Sequence, residues 1–152
     1  MLTTQNLTKV LKGRRQKAGG RILCNDGILQ TSAFKLMSYR EQFIWKNRIA
    51  LAIQCYQLTE HFPKSELYGL TSQIRSSCVS VPSNIAEGYG RKTKTEYIQF
   101  LHIALGSLRE LDTQLIIAKE VKLANQELFI PVMGEVDRLQ GILVSTLQKM
   151  KT

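Results

Sequence analysis

The chain has 152 residues, 43% of them hydrophobic, enough for one packed core and too few for two independently stable domains. Its uncharged runs, such as Tyr97 to Leu108, stop well short of the roughly 20 apolar residues that a membrane-spanning helix needs. The net charge of +9 suggests a polyanionic partner until it is divided by region: residues 1–36 carry Lys9, Lys12, Arg14, Arg15, Lys17, Arg21 and Lys35 against Asp26 alone, which leaves the remainder only mildly basic.

Residues 1–36 also have scattered glycines and no sustained hydrophobic period, and are read as a basic, disordered extension. No continuous apolar stretch follows the first basic residues, so no secretory signal is expected and the expected compartment is the cytoplasm. The three cysteines, Cys24, Cys55 and Cys78, are widely spaced and form no CxxC pair; neither a disulfide framework nor a zinc site is indicated, and Cys55 and Cys78 read as small core residues.

At Met37 the pattern changes, and the folded domain is placed at residues 37–152. Ser38 followed by Glu41 has the spacing of a capping box, in which two orphan amides at a helix start are satisfied reciprocally. The first helix is expected to run to about His61 on a seam of Ile44, Arg48, Leu51, Cys55, Leu58 and Phe62, ended by Pro63. A second helix begins between Ser65 and Leu70 and buries Ile74, Cys78, Val81 and Ile85; Gly88 and Gly90 are expected to close it in the left-handed conformation. Thr93 and Glu96 form another capping box, leaving Arg91 and Lys92 in a tight turn. The third helix has the clearest seam, Tyr97, Leu101, Ala104, Leu108, Leu111, Leu115 and Ala118. The fourth follows Asn125 with Val132, Val136, Leu139, Leu143 and Met150 inward, and Pro131 is expected to bend or loosen its first turn. Short connections make neighbours antiparallel, so the fold class is all-α, an up-down-up-down four-helix bundle.

Folding the second hairpin about residues 92 and 93 pairs positions whose numbers sum to about 185. Arg75 then faces Glu110 as a cross-helix ion pair. Pro82 deprives the Cys78 carbonyl of its donor, and Ser107, opposite residue 78, or a water is expected to supply one. Ser77, Cys78, Ser80, Ala104, Gly106 and Ser107 gather in one zone and suggest close backbone approach.

The residues Ser80-Val81-Pro82-Ser83-Asn84-Ile85-Ala86-Glu87-Gly88-Tyr89-Gly90-Arg91, with Gly69 to Arg75 before them and Phe100, Ala104, Gly106-Ser107-Leu108 and Glu110 after, carry a resemblance. The chain resembles, over essentially residues 39–150, the four-helix-bundle family encoded in intervening sequences of bacterial large-subunit rRNA genes. The resemblance implies a homopentameric barrel of bundles, an association with RNA or DNA, and kinship with the accessory variability protein of diversity-generating retroelements, which partners a reverse transcriptase. It brings no catalytic residue and no cofactor. This chain departs from the family pattern in having Ser76 after Arg75 and in Pro131.

Arg91, Lys92 and Lys94 lie at the turn before the third helix, whose amino end favours anions, and are the candidate phosphate contacts; Arg40 and Lys46 extend the basic stripe, and Arg48, lying in the seam, suggests a subunit contact. Asn84 and Glu87 are read as structural polar groups that fix register. Trp45, Tyr56 and Tyr68 suit base stacking in principle, but their helical spacing fits core or subunit interface better. His61 and His102 lie on different helices without metal-ligand spacing, and Gly88 to Thr93 misses a phosphate loop. The function expected is therefore non-enzymatic: an oligomeric nucleic-acid-binding bundle, or alternatively a protein-binding adaptor such as a reverse transcriptase accessory subunit.

Overall fold

The computed structural model describes residues 43–151, which form α1 (Phe43–Thr59), α2 (Leu70–Tyr89), α3 (Lys94–Glu120) and α4 (Phe129–Lys151), packed antiparallel in chain order as a bundle. The amino-terminal extension, the domain start at Met37, the Ser38–Glu41 capping box and Arg40 lie outside the described residues.

The seams expected from the spacing form the core. Leu51, Cys55 and Leu58 on α1, Ile74, Cys78, Val81 and Ile85 on α2, and all seven seam residues of α3 are buried. On α4, Val132, Val136, Leu139 and Leu143 are buried, Met150 is partly so, and the core also includes Phe129, one heptad before Val136, and Leu147, one position off the seam. Each fully buried leucine contributes about 1.5–3 kcal/mol of transfer free energy, so α3, with Leu101, Leu108, Leu111 and Leu115 all fully buried, is the spine of the bundle.

Helix ends follow local chemistry, with corrections. The first helix stops at Thr59, two residues before the expected end, because His61 N–H bonds the Leu58 carbonyl and Phe62 N–H bonds that of Thr59, a tightened turn that brings Phe62 inward ahead of Pro63. Gly90 caps α2 with φ −75°, so the expected left-handed closure does not occur. Gly88 lies inside α2 for another reason: a Cβ there would stand 2.6 Å from the Cβ of Phe100, so the α2–α3 hairpin closes only over a hydrogen. The Thr93–Glu96 capping box forms as expected. Asn125 accepts from Glu127 N–H at 3.1 Å and caps a short 3₁₀ turn, Gln126–Leu128, instead of α4 itself. Pro131 occupies the third position of α4, where its missing N–H has no helical acceptor to lose, and the expected disturbance has no cause.

The left-handed residue is at the other end of α3. Lys122 has φ 59°, and the bond from Leu123 N–H to the Ala118 carbonyl closes a Schellman motif with lysine in the position that glycine usually fills.

Across the α2–α3 hairpin, the register differs by about two residues from the expected one. The hydroxyls of Ser80 and Ser107 lie 2.9 Å apart, which brings Glu110 opposite Ser77 and away from Arg75. The predicted Arg75–Glu110 ion pair is therefore replaced. Arg75 turns to α1, where its Nε donates to Thr59 Oγ1 at 2.8 Å and its guanidinium lies 4.7 Å from the centre of the Tyr56 ring, while Glu110 accepts from Gln114 within its own helix.

Candidate functional site

Because α1 and α3 run one way and α2 and α4 the other, the amino ends of α1 and α3 share one end of the bundle with the carboxyl ends of α2 and α4. The basic candidates collect there: exposed Lys92 and Lys94 at the α2–α3 turn, half-exposed Arg91 beside them, and exposed Lys46 in the first turn of α1.

Their surroundings differ. Arg91 is held inside the hairpin: it is ion-paired with Glu87 one turn earlier, and its guanidinium stacks 4.6 Å from the centre of the Phe100 ring. This gives both motif residues a structural role, since the pair ties the last turn of α2 to α3 over the contact at Gly88. The amino end of α3 is also occupied by the chain's own groups. Glu96 N–H donates to Thr93 Oγ1 at 3.2 Å, and Thr93 N–H donates to Glu96 Oε2 at 3.1 Å. The bond from the Thr93 hydroxyl holds the Glu96 carboxyl below the usual carboxylate range, so a carboxylate stands where a phosphate would otherwise sit. What the turn offers a polyanion is the exposed ammonium groups of Lys92 and Lys94; the capped helix end adds little.

Arg48 is a correction. Expected from its seam position to be a subunit contact, it is wholly buried within the bundle, and its Nη2 donates to the Leu139 carbonyl of α4 at 3.1 Å. Burial, and then the like charge of Arg138, lowers its pKa to about 10, partly offset by Glu135 and Tyr97; it remains a cation at neutral pH. Burial likewise pushes the Tyr97 hydroxyl up to about 12.

The motif residues Asn84, Ser80 and Ser107 form one directed chain. Asn84 Nδ2 donates to the Ser80 carbonyl at 2.9 Å and to Ser80 Oγ at 3.0 Å, and Ser107 Oγ donates to the Ile103 carbonyl. With both ends so assigned, the 2.9 Å contact between the serine hydroxyls runs from Ser80 to Ser107. Ser107 thus faces α2, as expected, but meets Ser80 in place of the Cys78 carbonyl. Beside Pro82, Ser83 Oγ donates to the Val79 carbonyl at 2.8 Å, so side chains after the proline bond carbonyls before it.

The remaining candidates are dispersed. Trp45 packs against the core, Tyr56 lies under Arg75, and Tyr68 is almost fully exposed in the α1–α2 connection. Cys55 and Cys78 are buried, as expected; contact with Cys78 and burial push the Cys55 thiol up. Gly106 is not part of a close helix contact: a Cβ there would meet open space. Among the described residues no group of histidines, cysteines and carboxylates could hold a metal ion, and no helix is long and apolar enough to cross a membrane.

A family model described as 23S rRNA-intervening sequence protein matches residues 40–145. Among solved structures, the chain is similar to a protein of unknown function from the S23 ribosomal protein family of Bacteroides thetaiotaomicron, with a TM-score of 0.62 and 18% identity over 68% of this chain and 97% of the other. That likeness supports the fold. No curated protein matches.

Proposed function

This chain belongs to the 23S rRNA-intervening sequence protein family, and on that premise we propose that it is a non-enzymatic, oligomeric bundle that binds RNA or DNA through phosphate contacts at the end bearing the α2–α3 turn. One observation carries the reading: Lys92 and Lys94 stand exposed together at the α2–α3 turn, and the exposed carboxylate one turn before it, Glu87, is paired with Arg91. Glu96 keeps its negative charge beside them, so the local excess rests on the two lysines, and Lys46 adds to the same end. Phosphate contacts of this kind give affinity and salt dependence without base readout. The assembly proposed is the homopentamer, which would repeat the basic end around a single axis and multiply a weak contact.

The test is binding of single-stranded RNA to the full chain and to the Lys92→Glu/Lys94→Glu variant at low salt. The expected result is a loss of about tenfold or more in the variant with unchanged helical content, each phosphate contact being a counterion-release site. Equal affinity would contradict the site, and no binding by either protein would favour the protein-binding adaptor.

A further inference from the structure

The end opposite the lysines has a different character. There the α1–α2 and α3–α4 connections meet over a buried aromatic pair, Phe62 and Phe129, with ring centres 6.1 Å apart. Above this pair the chain leaves large apolar side chains in solvent: Tyr68 at 92% exposure, Ile130 at 65%, Val121 at 58%, with Leu67 and Leu128 beside them. Exposed apolar residues scattered singly need no explanation; several at one end of a small bundle form a contact surface. We infer that this end is a docking surface for a second copy of the chain, joined end to end about a two-fold axis.

The charge around the apolar residues selects that occupant. Lys64, Lys119 and Lys122 share the two connections and the helix turns next to them with Glu60, Glu66, Glu120 and Glu127, so both signs are present and neither dominates. A rim of mixed sign offers no net attraction to a polyanion or an anionic lipid surface, but it can complement itself: a two-fold axis allows the lysines of one copy to meet the carboxylates of the other. Lys122 adds a separate observation. It holds a left-handed backbone that disfavours a lysine and that glycine would adopt freely, so the helix end alone gives no reason for a lysine there. Its ammonium on the rim does.

The opposite polarity of the two ends favours joining like to like. Joining through the apolar ends sends the basic ends outward, each about 40 Å from the contact for a helix the length of α3, several screening lengths at physiological salt. Joining the apolar end to the basic end would instead bury Lys92 and Lys94 against hydrocarbon.

Light scattering of the full chain over a dilution series, beside the Tyr68→Asp/Ile130→Asp variant, tests this. Both positions are exposed, so the variant keeps its fold, checked by helical content and melting temperature. The expected result is a mass for the wild type twice that of the variant, whatever assembly the sides of the bundle form, and a Lys122→Glu variant shifted toward the smaller species. Equal masses for wild type and variant overturn the inference, and so does wild-type pelleting with neutral phosphatidylcholine vesicles that the variant loses without a change in mass. The inference does not rest on the nucleic-acid reading: RNA affinity per chain is unaffected if only this inference fails, and mass doubling persists if only that reading fails.

Discussion

Two glycines show how far one hydrogen atom matters. At Gly88 an added methyl would meet the Phe100 Cβ, an atom fixed by its own helix, so Gly88→Ala is expected to lose about 1–3 kcal/mol through overpacking. At Gly106 the same methyl enters open space in the middle of α3, and Gly106→Ala is expected to gain about 0.5–1 kcal/mol. Urea denaturation of the pair reads both signs in one experiment. Asn84 is more demanding, because its amide donates to two acceptors of Ser80; Asn84→Asp sets lone pairs against lone pairs and is expected to cost about 1–3 kcal/mol, whereas a fully retained midpoint in urea would show that the hydrogen-bonded chain contributes nothing. Tyr97 supplies a pH signature. Its hydroxyl is raised to about 12, so its contribution is complete below the usual tyrosine pKa and lost as pH climbs toward 12, while Arg48, lowered to about 10, acts with the opposite sign over much of that window. Stability against pH therefore mixes the two, and the clean readout is the ultraviolet titration of tyrosinate, in which the Tyr97 step is expected near 12 and is absent from the Tyr97→Phe protein. These residue-level partners are only partly legible in the sequence. The resemblance marks Pro82, Asn84 and Glu87 as belonging together, but whether Arg75 turns to α1 or α3 depends on a two-residue register that spacing does not determine.

Helices are the most legible level because their signals are local. The seam of α3 and the Thr93–Glu96 box each lie within a few turns of chain, and both form as expected. The box should also be measurable: Thr93→Ala removes the acceptor for Glu96 N–H and is expected to cost about 1 kcal/mol, checked by thermal melting. Ends without such a signal mislead. Gly90 has the residue type of a left-handed cap and is right-handed, while the left-handed role falls to Lys122, which nothing in its residue type announces. Arg48 does lie in the α1 seam, but a seam arginine suggests a partner subunit, and the carbonyl that receives it belongs instead to Leu139, 91 residues away. An Arg48→Ala protein is expected to lose about 3 kcal/mol or more, from the cavity and the bond to α4 together.

In the molecule as a whole, antiparallel packing turns a mildly basic bundle into a body with two unlike ends, lysines at the α2–α3 turn and apolar side chains over Phe62 and Phe129. The two ends differ in legibility: the basic one is plain in the stretch Arg91 to Lys94, whereas the apolar one combines residues from two connections far apart in the chain. Regional charge, by contrast, is plain in the sequence and assigns most of the excess to residues 1–36. The decisive experiment separates these two sources of positive charge. The slope of log affinity for single-stranded RNA against log salt is measured on three full-length proteins: wild type, Lys92→Glu/Lys94→Glu, and Arg14→Gln/Arg15→Gln/Lys17→Gln. Removing one phosphate contact should flatten the slope by about 0.7, so the bundle variant is expected to fall by about 1.4 or more and the amino-terminal variant to keep sequence-independent binding at the bundle end. A bundle variant whose slope equals that of the wild type, with binding abolished in the amino-terminal variant, would contradict a phosphate-binding site on the bundle.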